Sequence, residues 1–332
     1  MTKRKQQKSV KKTDISHQSP KKDVWELISN SPLPYLIILL GIALIYFQNF
    51  SFILGKLDED LIILNNFSFI NNIGNLKDAV FRDAFMTTTG IPFYRPLQNA
   101  SYLFDAFISG GNHWSFFLTN ILIHFVTSSF VYYLLKSLLN DKKISLICSL
   151  FFALNPFFVH SVSWVPSRGD LLITMFAAMS FVFLIKYFEE KKTYLFILHI
   201  VSLALAVLSK ETAMFVPFIF LLYIAFTEKG IKFSKTNILL LVSYFVVGTG
   251  YLLLRSTVVK ISNSSDVFGI TPFIANLPVL PEIICKFFIP VNLSPTPAFH
   301  VVNILIGLAV FSGLIFLIVK FSNENGFAKY SL

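Results

Sequence analysis

Long apolar runs, broken by short polar or basic ones, set the plan of this chain. Runs near the length needed to cross a membrane fall at 33–51, 114–136, 144–160, 170–187, 194–209, 212–227, 236–254, 273–290 and 300–320. A helix crossing about 30 Å of hydrocarbon needs roughly 20 mostly apolar residues. In lipid the backbone must satisfy its own hydrogen bonds, which leaves helices or a closed barrel. The two-residue alternation of barrel strands is absent, so the pattern predicts an all-α fold: a polytopic transmembrane helical bundle of about eight or nine spans. It is expected to form one domain over 31–322, between a basic tail at 1–30 and a short polar tail at 323–332. Only 14% of residues are charged, against about 25% in soluble domains, which excludes an ordinary soluble class.

Charge supplies the orientation. Residues 1–22 carry Lys3, Arg4, Lys5, Lys8, Lys11, Lys12, Lys21 and Lys22 against Asp14, a net of +7. Such an arm suits nucleic acid in some proteins. Next to a membrane helix it is better explained as a cytoplasmic anchor that meets anionic lipid, and no nucleic-acid partner is expected. The first apolar run is too long and too far from the start for a cleavable signal. With the N-terminus cytoplasmic, residues 52–112 become a large external loop. The basic segments KSLLNDKK (136–143), KYFEEKKT (186–193) and TEKGIKFSK (227–235) then all fall inside, as the positive-inside rule requires. Parity fails beyond 254. A re-entrant or interfacial 273–290 restores it, and the prolines of LPVLPEIICKFFIPVNLSPTP (277–297) favour that reading.

Under this topology the unusual polar residues share the external side. They are Asp58, Glu59 and Asp60 just after the first span; Asp83 in RDAF (82–85); Arg95 in YRPL (94–97); and His160, Arg168 and Asp170 in HSVSWVPSRGD (160–170). Lys210 and Glu211 in SKE (209–211) and Arg255 in LRS (254–256) complete the set. Each has a plain structural explanation. The acids suit a solvated loop start, Arg95 a turn before Pro96, Arg168 and Asp170 a local ion pair at a helix start, and Lys210 and Glu211 an interfacial anchor. His124 is expected to make a core hydrogen bond and His113 to be solvated. Cys148 and Cys285 read as small core residues. Together, however, acids and bases at a membrane boundary suit the transfer of a group from a lipid-borne phosphate. A carboxylate accepts the proton of an attacking hydroxyl, and Lys or Arg neutralises the phosphate leaving group. No cofactor is expected from these residues, with a divalent metal left open.

The order of motifs resembles a known class. DEDLIILNN (58–66), YRPLQNASYLFDAFISGGNHWSFFLTNILIHF (94–125), NPFFVHSVSWVPSRGDLL (155–172), LSKET (208–212) and YLLLR (251–255) resemble the GT-C glycosyltransferases. The likeness is to their protein O-mannosyltransferase-like and TMTC-like members, over roughly residues 30–300. It implies a hexosyltransferase that takes a sugar, mannose by family likeness, from a polyprenyl- or dolichyl-phosphate donor. The acceptor would be a protein or glycolipid on the external, periplasmic or lumenal face, with inversion at the sugar carbon. It further implies that two of Asp58, Glu59 and Asp60 hold the acceptor and supply the base. Lys210 first, then Arg95, Arg168 and Arg255, would serve the donor phosphate or organise loops, with Asp83, His160, Asp170 and Glu211 in support.

Two departures stand out. The family often shows His-Pro and a Glu where this chain has Asn155 and His160, and the chain ends soon after its last apolar run, as a truncated or minimal member would. A lipid-binding scaffold, an inactive relative or a transporter is the alternative. A transporter would set its charges near the bilayer midplane, not at loop edges. The sequons at Asn66 and Asn263 fall in external segments and matter only in a host that modifies them.

Overall fold

The architecture comes from a computed structural model that describes residues 25, 28, 31–55, 57–86, 92–227, 234–259, 270–294 and 299–323. The basic arm at 1–22, the polar tail beyond 323 and the sequon at Asn263 lie outside the described residues. All regular structure among the described residues is helical.

The helices are α1 (Leu33–Tyr46), α2 (Phe67–Ile70), α3 (Leu76–Val80), α4 (Pro96–Ser109), α5 (Trp114–Leu139), α6 (Lys142–Ala153) and α7 (Val159–Ser163). They continue with α8 (Arg168–Glu190), α9 (Thr193–Ser209), α10 (Val216–Thr227), α11 (Lys235–Val258), α12 (Ile270–Asn276), α13 (Val279–Phe288) and α14 (Val301–Asn323). Local chemistry sets several ends. α5 stops where Asn140 turns left-handed at φ 54°, a conformation Asn tolerates better than most residues. Asp141 then accepts hydrogen bonds from the backbone N–H groups of Lys143 and Ile144, capping α6. Ser234 caps α11 through the N–H of Asn237.

Four helical stretches are long and apolar enough to cross a membrane: Leu33–Ser51, Trp114–Leu139, Val165–Glu190 and Lys235–Val258. A fifth results if Lys142–Ala153 and Pro156–Ser163, bent by 42°, count as one broken span. The eight or nine spans expected from hydropathy are therefore not reached by helix length among the described residues. The apolar runs at 194–209 and 212–227 fold as shorter helices, because the chain breaks to an extended Lys210 between them. A 17-residue helix such as α9 rises only about 26 Å. The run at 273–290 splits into α12 and α13 at Leu277–Pro278, so it does not cross as one helix. Its prolines break the ladder. α13 instead lies against α14 so closely that a Cβ on Gly307 would collide with the backbone carbonyl of Pro281.

Side chains sort into three cores. One joins α8, α9, α10 and α11 through Leu184, Leu203, Phe220 and Leu240. A second packs α1 on α5 and α6 through Ile38, Ile42, Ile121 and Leu146. The third lies in the region expected to be a loop: Leu54, Ile63, Ile70, Ala79, Leu103 and Phe116 close over Val165. The described residues of 52–112 thus form a folded cap of short helices. Outside these cores, Leu44, Phe226, Phe245 and Leu253 are exposed. In water each would leave large apolar area wet at about 25 cal/mol per Å². The place of Leu44, Phe245 and Leu253 on membrane-length stretches marks them as lipid-facing. Cys148, expected in a core, is exposed on α6, whereas Cys285 is buried.

Inside the bundle, His124 makes the expected core hydrogen bond, its Nε2–H donating to the Ala153 carbonyl oxygen at 2.9 Å. His199 has no counterpart in the sequence reading. It joins three helices, with Nδ1 2.8 Å from Ser180 Oγ and Nε2 2.9 Å from Tyr244 Oη.

Candidate functional site

The acidic motif begins with a strained residue. Leu57 has φ 71°, which is unfavourable for a branched side chain. Glu59 follows, and Asp60 opens a π-turn running to Leu64, a geometry that recurs at functional sites. Glu59 is buried between Asp58 and Asp60, which are half-buried. Its carboxylate accepts from the backbone N–H of Gly55 and from that of Val165, the latter at 3.3 Å. Burial lifts the Glu59 carboxyl above its ordinary range against the pull of those two amides, and the neighbouring charge of Asp60 adds to the rise. His113 is not simply solvated: it is half-buried, and its Nδ1 accepts from the N–H of Leu54 at 3.3 Å.

Val165 ties this acid to the rest of the site. Its carbonyl accepts from Tyr102 Oη at 3.1 Å, and Gln98 Nε2 donates to that same hydroxyl at 3.0 Å. Below Tyr102 lies Arg168, whose guanidinium carbon is 4.6 Å from the ring centre. Arg168 and Asp105, not Arg168 and Asp170, form the ion pair, at 2.5 Å with side chains 0% and 3% exposed. This corrects the expected local pair. Arg168 also donates to Asn120 Oδ1 (2.7 Å), Ser101 Oγ (3.0 Å) and the Phe116 carbonyl (2.8 Å). Its donors are thus taken up by partners inside the protein. Burial raises the Asp105 carboxyl, opposed by the Arg168 charge and a hydrogen bond from Thr119.

Asp170 pairs with Lys210 instead, at 2.5 Å with side chains 45% and 20% exposed. Beside them Arg95 grips Glu211 through two parallel bonds, Nη2 to Oε1 at 2.7 Å and Nε to Oε2 at 3.2 Å. The charge of Asp170 also acts on Arg95, so the four residues form one cluster of two cations and two carboxylates. Gly169 allows the approach. A Cβ there would lie 2.6 Å from Gln98 Oε1, 3.4 Å from the Ser209 carbonyl and 3.6 Å from Lys210 Cδ. The turn before α8, the start of α4 and the end of α9 therefore meet at one glycine.

The remaining predicted residues lie elsewhere or play other parts. Arg255 donates to the Pro92 carbonyl at 3.0 Å, and Tyr251 in the same helix donates to the Tyr94 carbonyl at 3.0 Å. Together they clamp the strand-like entry to α4. Asp83 is buried and accepts from the N–H of Phe85 at 2.9 Å, organising the cap. His160 packs on Trp164 with ring centres 4.7 Å apart and planes tilted by 43°, and it lines a cleft of about 610 Å³ between the start of α7 and α13. Among the described residues, no group of three or more His, Cys, Asp or Glu side chains could hold a metal ion.

Sequence reasoning missed Asp105, because it sits at an unremarkable helical position in YLFDAF and its partner lies 63 residues away. It also missed Glu282 and Lys286, which pair at 2.8 Å on α13. Their i,i+4 spacing was legible.

Residues 100–253 match the family of dolichyl-phosphate-mannose-protein mannosyltransferases. The chain is similar to the protein O-mannosyl-transferase TMTC2 of Mus musculus, at 31% identity over 94 residues, which is 28% of this chain and 11% of the relative. It is similar also to TMTC1 of Mus musculus, at 26% over 113 residues (32% and 12%). The Xenopus laevis protein tmtc2 matches at 29% over 94 residues (28% and 11%). The chain thus spans about a tenth of the length of these relatives. No solved structure matches. These likenesses bear out the resemblance to GT-C mannosyltransferases read from the motifs, and they point to a membrane glycosyltransferase.

Proposed function

We propose that this chain transfers a sugar, mannose by kinship, from a polyprenyl- or dolichyl-phosphate donor to a protein or glycolipid acceptor. The reaction takes place on the external, periplasmic or lumenal side of the membrane, with the N-terminus cytoplasmic. One observation carries the reading. Glu59 is held by the amide of Val165, three residues before Arg168, and Asp170 at the start of that same helix is paired to Lys210. Motifs about a hundred residues apart in sequence thus meet on one short turn, Glu59 at Val165 and the paired Asp170 and Lys210 five residues on.

In the step itself, the acceptor hydroxyl oxygen bonds to the anomeric carbon. The bond from that carbon to the phosphate oxygen breaks, and its electron pair stays on the phosphate. The hydroxyl proton passes to a carboxylate, and attack from the face opposite the leaving group inverts the centre. Glu59 and Asp60 form the working pair, supported by the action of the Asp60 charge on Glu59. Glu59, fixed by two amides, orients the acceptor, and the less buried Asp60 takes the proton. Lys210 and Arg95 stand on the phosphate side, each held in place by a carboxylate partner. Such preorganised charge stabilises a leaving group better than mobile side chains do. Arg168 belongs to the frame.

The test supplies isolated membranes bearing the full chain with radiolabelled polyprenyl-phosphate mannose. Transfer of label to protein or lipid above that of membranes lacking the chain is expected, reduced at least tenfold by Lys210→Gln. Label transfer no greater than in the empty membranes, with the protein present and folded, would sink the reading.

A further inference from the structure

The cleft between α13 and the turn leading into α7 lies outside the charged cluster. Its volume near 610 Å³ is that of a single small-ligand site, about 300–1,000 Å³. Phe157, Val159, Ile283, Leu293 and Phe299 make it mainly apolar. Ile283, Leu293 and Phe299 are 44%, 42% and 51% exposed, so they form an open apolar mouth. Two charges lie within: Glu282 and Lys286, with side chains only 6% and 12% exposed. They approach to 2.8 Å, yet Glu282 Oε1 has no hydrogen-bond partner among the described residues. The pair is held by charge alone, and a buried carboxylate short of a donor is costly. The opposite wall is pinned to α13, since Asn155 donates to the Phe287 carbonyl at 2.9 Å and Phe158 packs on the Phe287 ring. That wall belongs to the bent pair Lys142–Ala153 and Pro156–Ser163. The pair begins at the cations Lys142 and Lys143, and the cleft lies at its other end.

A cleft whose own charges cancel selects a ligand whose charges cancel too. An anionic head that takes Lys286 strands Glu282 against an apolar wall, and a cationic head strands Lys286. Each stranded charge counts against binding. A zwitterion with its two charges close together leaves nothing stranded. Its phosphate accepts from Lys286, its ammonium donates to Glu282, and both new bonds are charge-assisted. The ammonium also supplies the donor that Glu282 Oε1 lacks. Spacing agrees. Glu282 and Lys286 stand at i and i+4 on α13, about 5–6 Å apart at Cβ, and the ammonium and phosphate of phosphoethanolamine are joined through only two carbons. We propose that the cleft holds a phospholipid with a zwitterionic phosphoethanolamine head as a bound structural lipid. Its acyl chains leave through the mouth of Ile283, Leu293 and Phe299, while His160 and Ser161 line the side across from α13. The lipid fills the gap between α13 and the rest of the bundle, which Asn155 and the Phe287 ring already join. α13 lies beyond the residues 100–253 that match the mannosyltransferase family, and the site stands independently of the transfer reading.

The experiment titrates lipids onto the purified full chain in detergent and counts bound copies by native mass spectrometry. The probes are dioleoyl phosphatidylethanolamine, phosphatidylglycerol and phosphatidylcholine, with glycerophosphoethanolamine as the head without chains. The wild type should bind phosphatidylethanolamine at least tenfold more tightly than phosphatidylglycerol, which has the phosphate but no ammonium. Phosphatidylcholine keeps both charges but has no N–H to give Glu282, and should bind at least threefold more weakly than phosphatidylethanolamine. Glu282→Gln leaves Lys286 alone and should invert the order, putting phosphatidylglycerol first. Lys286→Met by itself strands a buried carboxylate, so the double variant Glu282→Gln/Lys286→Met is used, and it should rank the three lipids equally. Ile283→Trp, which narrows the mouth without touching a charge, should weaken all three at least threefold and keep their order. Equal binding of phosphatidylethanolamine and phosphatidylglycerol by the wild type would overturn the proposal, as would a preference that survives in the double variant. Glycerophosphoethanolamine binding as tightly as the lipid would overturn the lipid assignment. Displacement of phosphatidylethanolamine by an equal concentration of a C20 isoprenyl phosphate would overturn it as well.

Discussion

Two ion pairs in this protein join the same kinds of group and do opposite work. Arg168 and Asp105 are 0% and 3% exposed, and Arg168 has further partners in Asn120, Ser101 and the Phe116 carbonyl. Lys210 and Asp170, the latter two residues after Arg168, are 20% and 45% exposed, and Lys210 pairs with Asp170. A desolvated pair is held by many bonds and cannot be given up cheaply. A half-wet pair gains little from its partner and can trade it for a ligand. Motif reading sets Arg168 and Lys210 side by side as residues for the phosphate or for loop organisation; burial separates them into an interior pair and a half-exposed one.

The largest effect should come from breaking the frame. Arg168→Met strands Asp105 in the interior and should cost about 3–5 kcal/mol, read as a large fall in the thermal transition of the detergent-solubilised protein. Replacing Asp105 with Leu in the same chain should return part of that loss. If Arg168→Met melts with the wild type, the pair is not the framework described. Next comes the link from the frame to the acid. Tyr102→Phe leaves the buried Val165 carbonyl without its donor and should cost about 1–3 kcal/mol. It should also lower transfer more than Tyr102→Phe-sized changes in the lipid-facing shell, since Val165 holds Glu59.

The exposed pair should behave in reverse. Asp170→Asn should change stability by no more than about 1 kcal/mol, while a double-mutant cycle with Lys210→Gln should show the coupling in transfer rate instead. A stability loss as large as that of Arg168→Met would erase the contrast. The smallest effect is a slope. Burial raises the carboxyls of Glu59 and Asp105 in the folded state. Their contribution to stability is then present below the unfolded values near about 4 and is lost as pH rises through the folded ones. Between mildly acid and neutral pH, Glu59→Gln should therefore lose less stability than the wild type. An identical slope in both proteins would contradict the burial of Glu59.

Much of this was legible in residue order. Apolar length alone marks α1, α5, α8 and α11 as membrane helices, and NDKK spells out an αL stop followed by an Asp cap. The Pro96 start and Gly110 end of α4, where Gly110 has φ 61°, are equally readable, although hydropathy alone leaves the surrounding residues as loop. The cap's core was hidden because its apolar residues are scattered over 54–106 and close only on Phe116 and Val165. The spans beyond the four long helices are less legible for the converse reason: hydropathy registers an apolar run whether or not its backbone continues, and the run at 273–290 splits into α12 and α13 at Leu277–Pro278. Within the site, residue type found Glu59, Arg95, Lys210 and Asp170, whereas partners were invisible. Nothing local says that Arg168 reaches back to Asp105 or that Glu59 is held by an amide in a different motif.

The most direct test of the account is the transfer rate of Asp58→Asn, Glu59→Gln and Asp60→Asn, measured on folded protein in membranes with a polyprenyl-phosphate sugar. Loss of transfer is expected in Asp60→Asn, together with a marked fall in Glu59→Gln and a milder one in Asp58→Asn. Full transfer by all three variants would contradict it.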